Sequence, residues 1–131
     1  MQEQEHPMTR QIVGLAMKVH RTLGSGFAES IYRNALIIEL RKAEIAFVCH
    51  LALSVKYDGV EVGAFQADLV IGNQLIIELK AVDMLNTAHS AQLVNYLKAT
   101  NIDHGQLLNF GTQRLEFKTK SRIYQPPDLH S

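Results

Sequence analysis

The sequence predicts a single α/β domain of mixed α+β character, in which about five strands form a central mixed sheet flanked by helices. The predicted element order is α-α-β-β-β-α-β-β. Apolar residues recur at helical spacing near the start of the chain and again after residue 86, whereas elsewhere they alternate or run continuously, as strands do. The 131 residues contain no repeat or linker and suffice for one core. We expect the domain to span residues 8–124, with flexible tails at 1–7 and 125–131.

Three segments have the spacing of helices. The first covers residues 8–23 and is stopped by Gly-Ser-Gly, and the second covers residues 28–42. The third covers residues 88–100, after the N-cap candidates Asn86 and Thr87. The second helix is expected to bury a wide apolar face that includes Ile31, Ala35 and Ile38.

Four segments are predicted to be strands, three before the third helix and one after it. A hairpin turn at Asp58-Gly59 joins residues 47–57 to residues 60–71, and a bulge or bend is expected near Gly63. The strand at 75–80 comes next, and a buried strand around Leu107, Leu108 and Phe110 follows the third helix.

Residues 113–123 form the last predicted strand, in which charged residues alternate with uncharged ones. A solvated edge strand explains this pattern most simply, because charged edges resist unwanted pairing. A ridge that contacts phosphates is the sharper interpretation. The charged positions are Arg114, Glu116, Lys118, Lys120 and Arg122.

Composition narrows the class of protein. The longest apolar run is well short of a membrane span, the N-terminus lacks the pattern of a signal peptide, and the single cysteine, Cys49, fits a reducing compartment, so we expect a cytoplasmic protein without membrane association. Thirteen basic and thirteen acidic residues cancel, which counts against strong non-specific binding to nucleic acid.

The stretch from Asp68 to Lys80 carries the most specific chemistry. Asp68, Glu78 and Lys80 stand among apolar residues, where charges are costly unless they are compensated. Glu78 and Lys80 leave the same face of their strand because they are two residues apart. A two-residue loop at Gly72-Asn73 would set Asp68 on the other face, whereas a three-residue loop would set it opposite Glu78.

If Asp68 and Glu78 share a face, their carboxylates suit Mg²⁺ or Mn²⁺. Such an ion would lower the pKa of a bound water and polarise a phosphodiester. Lys80 could then orient the water or stabilise the developing charge. On spacing alone, a buried ion pair between the acids and Lys80 is an equally good interpretation.

These residues, in an α-β-β-β-α-β order, resemble the PD-(D/E)xK nuclease superfamily, which implies a restriction-endonuclease-like core. Residues 26–32, Gly-Phe-Ala-Glu-Ser-Ile-Tyr, are similar to the signature of the GxxExxY family within it. Residues 19–24, 67–70, 77–82 and 91–97 resemble family blocks in the same order, so the resemblance covers about residues 8–120.

The resemblance implies further site residues. Glu29 becomes a third acid at the metal, together with Asp68 and Glu78, although an acid near a helix N-terminus is also favoured by the helix dipole. Gln92 and Tyr96, four residues apart on one helical face, resemble the Gln-x-x-x-Tyr pair of the RecB-like branch. The implied catalytic residues are thus Lys80, Glu78, Asp68, Gln92 and Tyr96.

Two histidines have competing interpretations, and two positions depart from the pattern. His89 could contact phosphate and His20 could support Glu29, but structural roles are favoured for both. Ala67 replaces the proline that precedes the first acid in the superfamily. Gln66 stands where a basic residue, often Arg, is expected in relatives, which removes a candidate phosphate contact.

The resemblance implies a metal-dependent nuclease that hydrolyses phosphodiester bonds, with DNA as the expected substrate and Mg²⁺ or Mn²⁺ as cofactor. The alternative is a non-catalytic nucleic-acid-binding or partner-binding protein on the same fold, which the zero net charge favours. The exposed last strand would allow a homodimer. A thiol hydrolase is disfavoured because Cys49 and His50 are adjacent on a strand and point to opposite faces.

Overall fold

The computed structural model describes residues 6–122. Its five strands form one sheet in the order of the chain, β1-β2-β3-β4-β5, and the predicted order of elements is confirmed. The helices are α1 (Thr9–Leu23), α2 (Glu29–Lys42) and α3 (Thr87–Thr100). The strands are β1 (Val48–Tyr57), β2 (Val60–Ile71), β3 (Leu75–Lys80), β4 (His104–Asn109) and β5 (Glu116–Ser121).

The sheet is mixed, and helices cover both of its faces. β3 and β4 are parallel and are joined through α3, whereas the other neighbouring strands are antiparallel. The helices α1 and α2 pack on one face over a core that includes Leu69, Ile77 and Phe110. The helix α3 packs on the other face over a core that includes Ile76 and Leu107. The restriction-endonuclease-like architecture is therefore present.

The loop between β2 and β3 sets the register on which the site depends. Gly72 and Asn73 both have positive φ, and the N–H of Gln74 donates to the carbonyl of Ile71 at 3.0 Å. The ladder begins with Ile71 opposite Leu75, so the loop consists of Gly72, Asn73 and Gln74. It is one residue longer than a two-residue hairpin turn. The register requirement for the site, an odd-length loop, is thus fulfilled.

The hairpin of β1 and β2 contains the predicted bulge. Val55 pairs with Gly63, but the next pair is Lys56 with Glu61, so Val62 is the extra residue. The irregularity lies beside Gly63, where the sequence indicated it.

The predicted buried face of α2 is wrong in part, because Ala35 packs against the core but Ile31 and Ile38 do not. Ile31 and Ile38 are 41% and 55% exposed, whereas Tyr32, Leu36 and Leu40 are fully buried. The Tyr32 ring stacks on Phe110 with centroids 4.7 Å apart, and its hydroxyl donates to the carbonyl of Gly24. These two contacts turn the helix so that the Tyr32 face points inward.

Of the predicted tails, the structure describes only His6 and Pro7. His6, assigned to the tail by sequence, is buried, and its Nε2 lies 3.0 Å from Oε1 of Gln74. The predicted tail at 125–131, the end of the last predicted strand and residues 1–5 lie outside the described residues. Within residues 6–122, no helix combines the length and apolar character needed to cross a membrane.

Candidate active site

Asp68 lies where β2 and β3 separate. The last pair of their ladder is Leu69 with Ile77, and continuing this register by one residue places Asp68 opposite Glu78. The N–H of Leu79 donates to Oδ2 of Asp68 at 2.9 Å, so the side chain takes over from the main-chain ladder. This hydrogen bond fixes the carboxylate at the opening between the two strands.

The strand β2 twists at Asp68. Leu69 packs in the core under α1 and α2, whereas Ala67 packs in the core under α3, although the two residues are two apart. Between their partners on β1, His50 has a positive φ of 55°. The local twist turns Asp68 toward β3 rather than squarely onto either face.

One carboxylate oxygen of Glu78 has no partner among the described residues. Its Oε1 is buried and makes no hydrogen bond. Burial, and then the negative charge of Asp68, raise the pKa of Glu78 to about 8, and the positive charge of Lys80 opposes this shift. The unpartnered oxygen and the raised pKa both indicate that the charge of Lys80 does not fully compensate the Glu78 carboxylate.

Lys80 ends β3 two residues after Glu78 and is partly buried. The pairing with β4 reaches Asn109, and the carbonyl of Lys80 accepts a hydrogen bond of 2.8 Å from the N–H of Phe110. Its backbone is therefore held firmly. Its ammonium charge acts on Glu78, as the pKa of that acid shows.

Asp68 and Glu78 suit a hard divalent ion as a pair, and Glu29 does not join them as a third ligand. Mg²⁺ and Mn²⁺ prefer oxygen ligands. Either ion would give the unpartnered carboxylate oxygen of Glu78 a partner. However, residues 6–122 contain no group of three or more His, Cys, Asp or Glu side chains placed to hold a metal. Glu29 is the first residue of α2 and is exposed, so it does not join Asp68 and Glu78 in this structure, and its predicted role remains untested.

Tyr96 approaches the site from α3. Its ring stacks on Phe65 of β2, with centroids 3.6 Å apart and planes within 10°. Burial and the charge of Glu78 raise the pKa of Tyr96, which places its hydroxyl within electrostatic reach of that acid. Gln92 lies one turn earlier and is exposed, so the structure orients Tyr96 more firmly than Gln92.

The two histidines of the motif regions have structural partners. His89 and Asn86 form a reciprocal capping box at the start of α3, with hydrogen bonds of 3.0 and 3.1 Å. His20 is buried, and its Nε2 lies 2.8 Å from the carbonyl oxygen of Thr112. The structural interpretation is thus the better one for both.

A buried clamp behind Lys80 was not recognised in the sequence. The side chain of Asn109, fully buried, accepts from the N–H groups of Val82 and Gly111 and donates to the carbonyl of Val82 and to Glu116. Glu116 also accepts from the N–H of Leu85 at 2.9 Å. Together they hold the segment that leads from β3 to α3 and so fix Lys80 relative to Tyr96.

Two sequence signals could have revealed these residues. Asn109 directly follows a buried apolar run, where a polar side chain must find partners. Arg33, which donates to Asp68 at 3.2 Å, stands four residues after Glu29 and hence on the same side of α2. Glu116 gave no such signal, because it stands in a run of alternating charges.

The sequence model of the PD-(D/E)XK nuclease superfamily matches residues 6–121. The chain belongs to this superfamily. The match covers every element of the fold, and with it Asp68, Glu78 and Lys80. No curated protein matches the chain significantly.

Two solved structures share the fold. The crystal structure of SSO0001 aligns with a TM-score of 0.52 and 21% identity over 76% of this chain. An alkaline exonuclease (LHK-Exo) from Laribacter hongkongensis aligns with a TM-score of 0.53 and 9% identity over 90% of this chain. This chain spans 50% of SSO0001 and 72% of the exonuclease.

Proposed function

We propose that this member of the superfamily is a metal-dependent nuclease of the GxxExxY family that hydrolyses phosphodiester bonds in DNA. The observation that carries the proposal is the register of β2 and β3, which brings Asp68 opposite Glu78 where the strands part and leaves one buried oxygen of Glu78 without a partner. A purely structural ion pair would satisfy that oxygen. The arrangement instead suits two carboxylates that share a cation supplied from solution.

A divalent ion held by Asp68 and Glu78 would polarise the phosphodiester and make a water molecule more acidic. Asp68 is oriented for this purpose by the N–H of Leu79. Glu78 must lose its proton to bind the ion. Its pKa of about 8 would fall when a cation offsets the charge of Asp68.

Lys80 and Tyr96 complete the proposed machinery. Lys80, on the same face of β3 as Glu78, is proposed to stabilise negative charge that develops on the phosphoryl oxygens or to orient the attacking water. Tyr96, whose ring stacks on Phe65, is proposed to donate a hydrogen bond from its hydroxyl to a phosphate oxygen. Gln92 is exposed on the same helix, and we propose that it reaches the site when substrate and metal are bound.

The charged residues of β5 support a nucleic-acid substrate. Lys118 and Lys120 line a cleft together with Asn86, Thr87 and Ser90 at the start of α3. Lys118 pairs with Leu107, which pairs with Glu78, so the cleft lies two strands from Glu78 and on its face of the sheet. We propose that these lysines contact the backbone phosphates of the substrate, which is the sharper of the two interpretations of this charged strand.

The experiment that tests this function is cleavage of end-labelled single-stranded DNA, double-stranded DNA, branched DNA and RNA. Each substrate is incubated with Mg²⁺, with Mn²⁺ and with a chelator. We expect cleavage of DNA that requires the ion and that is lost in Glu78→Gln while binding of DNA is retained. Absence of cleavage on every substrate with either ion would overturn the proposal.

One observation favours a second candidate, a non-catalytic nucleic-acid-binding protein. Asp68 already has a cationic partner, Arg33, so half of the acid pair is neutralised without metal. Tight binding of DNA by a protein that cleaves no substrate would support this candidate.

A further inference from the structure

Arg33 reaches the candidate site from the helix layer opposite α3. Its Nη1 lies 3.2 Å from Oδ1 of Asp68, and the two side chains are only 16% and 17% exposed. The Nε of Arg33 is buried and donates to no acceptor in the described part of the chain. The guanidinium is thus held by a single carboxylate oxygen, which is weak anchoring for a buried arginine.

Both oxygens of Asp68 are engaged in this arrangement. Oδ2 accepts from the N–H of Leu79, and Oδ1 accepts from Arg33. A divalent ion shared with Glu78 needs an oxygen of Asp68. Oδ2 is held by the backbone N–H that orients the side chain, so Oδ1 is the oxygen at which the ion and Arg33 would meet. Two cations on one carboxylate repel each other strongly in a partly buried site.

We propose, on the basis of the nuclease function proposed above, that Arg33 is an internal counter-cation that occupies Asp68 in the metal-free protein and leaves it when a divalent ion binds. Arg33 therefore lowers the affinity of the site for metal. In return it keeps the metal-free protein from burying an uncompensated carboxylate. It is a positioning residue that acts through Asp68.

The structure offers an acceptor for the displaced guanidinium. Glu29 lies four residues before Arg33 on α2 and is exposed. A glutamate four residues N-terminal to a cation is the favourable order for a pair on a helix. In this proposal, a change of side-chain rotamer would carry the Arg33 guanidinium from Asp68 toward Glu29.

The test is the affinity for Mn²⁺ and for Mg²⁺, measured by titration calorimetry without nucleic acid. Arg33→Met removes the charge and keeps a long apolar side chain. We expect it to bind either ion about tenfold more tightly than the wild type, because the competing cation is gone. The control is Lys42→Met, which removes one positive charge from the same helix at a 60% exposed side chain and is expected to change the affinity by less than about twofold.

Equal or weaker binding by Arg33→Met would overturn the inference, because it would show that Arg33 supports Asp68 as a ligand. If the wild type binds metal and cleaves DNA while Arg33→Met binds no more tightly, the nuclease function stands and this inference falls. If only Arg33→Met binds metal, the inference stands and metal-dependent cleavage by the wild type falls. If neither protein binds an ion, both proposals fall.

A second measurement uses the wild type, in case Arg33→Met does not fold. The ¹⁵N-resolved resonance of the Arg33 Nε–H group is assigned by its loss in Arg33→Lys and is followed during titration with Mg²⁺. We expect it to shift on addition of the ion and to return when the ion is chelated. A resonance that stays unchanged at saturating Mg²⁺ would contradict displacement.

Discussion

The backbone N–H of Leu79 donates a hydrogen bond of 2.9 Å to Oδ2 of Asp68, one residue beyond the last ladder pair of β2 and β3. A side chain thus replaces the main-chain partner at the point where the strands part. The same hydrogen bond makes the orientation of Asp68 depend on the register between β2 and β3, and that register is set by the loop.

Deletion of Gln74 should dismantle the candidate site. It converts the loop to two residues and slips the register by one, which turns Asp68 away from Glu78. We expect binding of divalent ions to be lost and the thermal midpoint to fall, as followed by calorimetry and circular dichroism. The matched control is Gln74→Gly, which keeps the loop length and should retain metal binding. Unchanged binding in the deletion variant would show that register does not control the site.

The stability of the metal-free protein should decrease as the pH rises, through Glu78. The pKa of Glu78 is about 8 in the folded protein and near 4.5 when unfolded, so between these values the folded state holds a proton that the unfolded state has released. The free energy of unfolding should therefore fall over this range by an amount on the order of a few kcal/mol, and then level off above about pH 8.

The measurement is urea unfolding in a chelator at several pH values, for the wild type and for Glu78→Gln. The difference between the two proteins isolates Glu78 from the other titrating groups. We expect the free energy of unfolding of the wild type to fall relative to that of Glu78→Gln as the pH rises. A difference independent of pH from 5 to 9 would show that Glu78 is not strained by its surroundings.

Substitution of Gly111 should disturb the segment behind Lys80. A Cβ at this position would lie 2.5 Å from the backbone nitrogen of Val82 and 2.7 Å from the carbonyl carbon of Ala81. Neither atom can yield without moving the clamp around Asn109, so Gly111→Ala should destabilise the protein by about 2 kcal/mol or more in urea unfolding. Gly63→Ala, where a Cβ meets nothing within 4 Å, is the control. Equal stability of both variants would refute the close approach.

Tyr96 should separate stability from catalysis. Tyr96→Phe keeps the ring on Phe65 and removes only the hydroxyl, so we expect stability to change by less than about 0.5 kcal/mol. The rate of DNA cleavage should fall by about tenfold or more, because a contact with the phosphate is lost. Tyr96→Ala should in addition lose about 1–3 kcal/mol of stability with the stacked ring. Full activity of Tyr96→Phe would remove the hydroxyl from the proposed machinery.

The sequence predicted most of the fold because its elements are defined by local signals. The spacing of apolar residues, the Asp58-Gly59 turn and the Asn86 cap each act within a few residues, and all three appear in the structure. The predicted buried face of α2 was wrong in part because it depends on a contact between Tyr32 and Phe110, which are far apart in the chain.

The site likewise combines features set by local sequence signals with features set by contacts between distant residues. The alternation along β3 puts Glu78 and Lys80 on one face, and the loop length decided whether Asp68 would join them. The sequence could mark Arg33 and Asn109 as candidates but not their partners, because each contact joins elements that only tertiary packing brings together. Whether Glu29 reaches the acids likewise depends on the position of α2 over the sheet.

The central claim is that Asp68 and Glu78 jointly hold a divalent ion. The most direct measurement is an anomalous difference map from crystals of the wild type soaked in Mn²⁺, with crystals of Glu78→Gln as the control. We predict one peak bonded to both carboxylates in the wild type, with Arg33 moved off Asp68, and no peak there in Glu78→Gln. A wild-type map without Mn²⁺ between the two acids, with Glu78 paired to Lys80 instead, would contradict the claim.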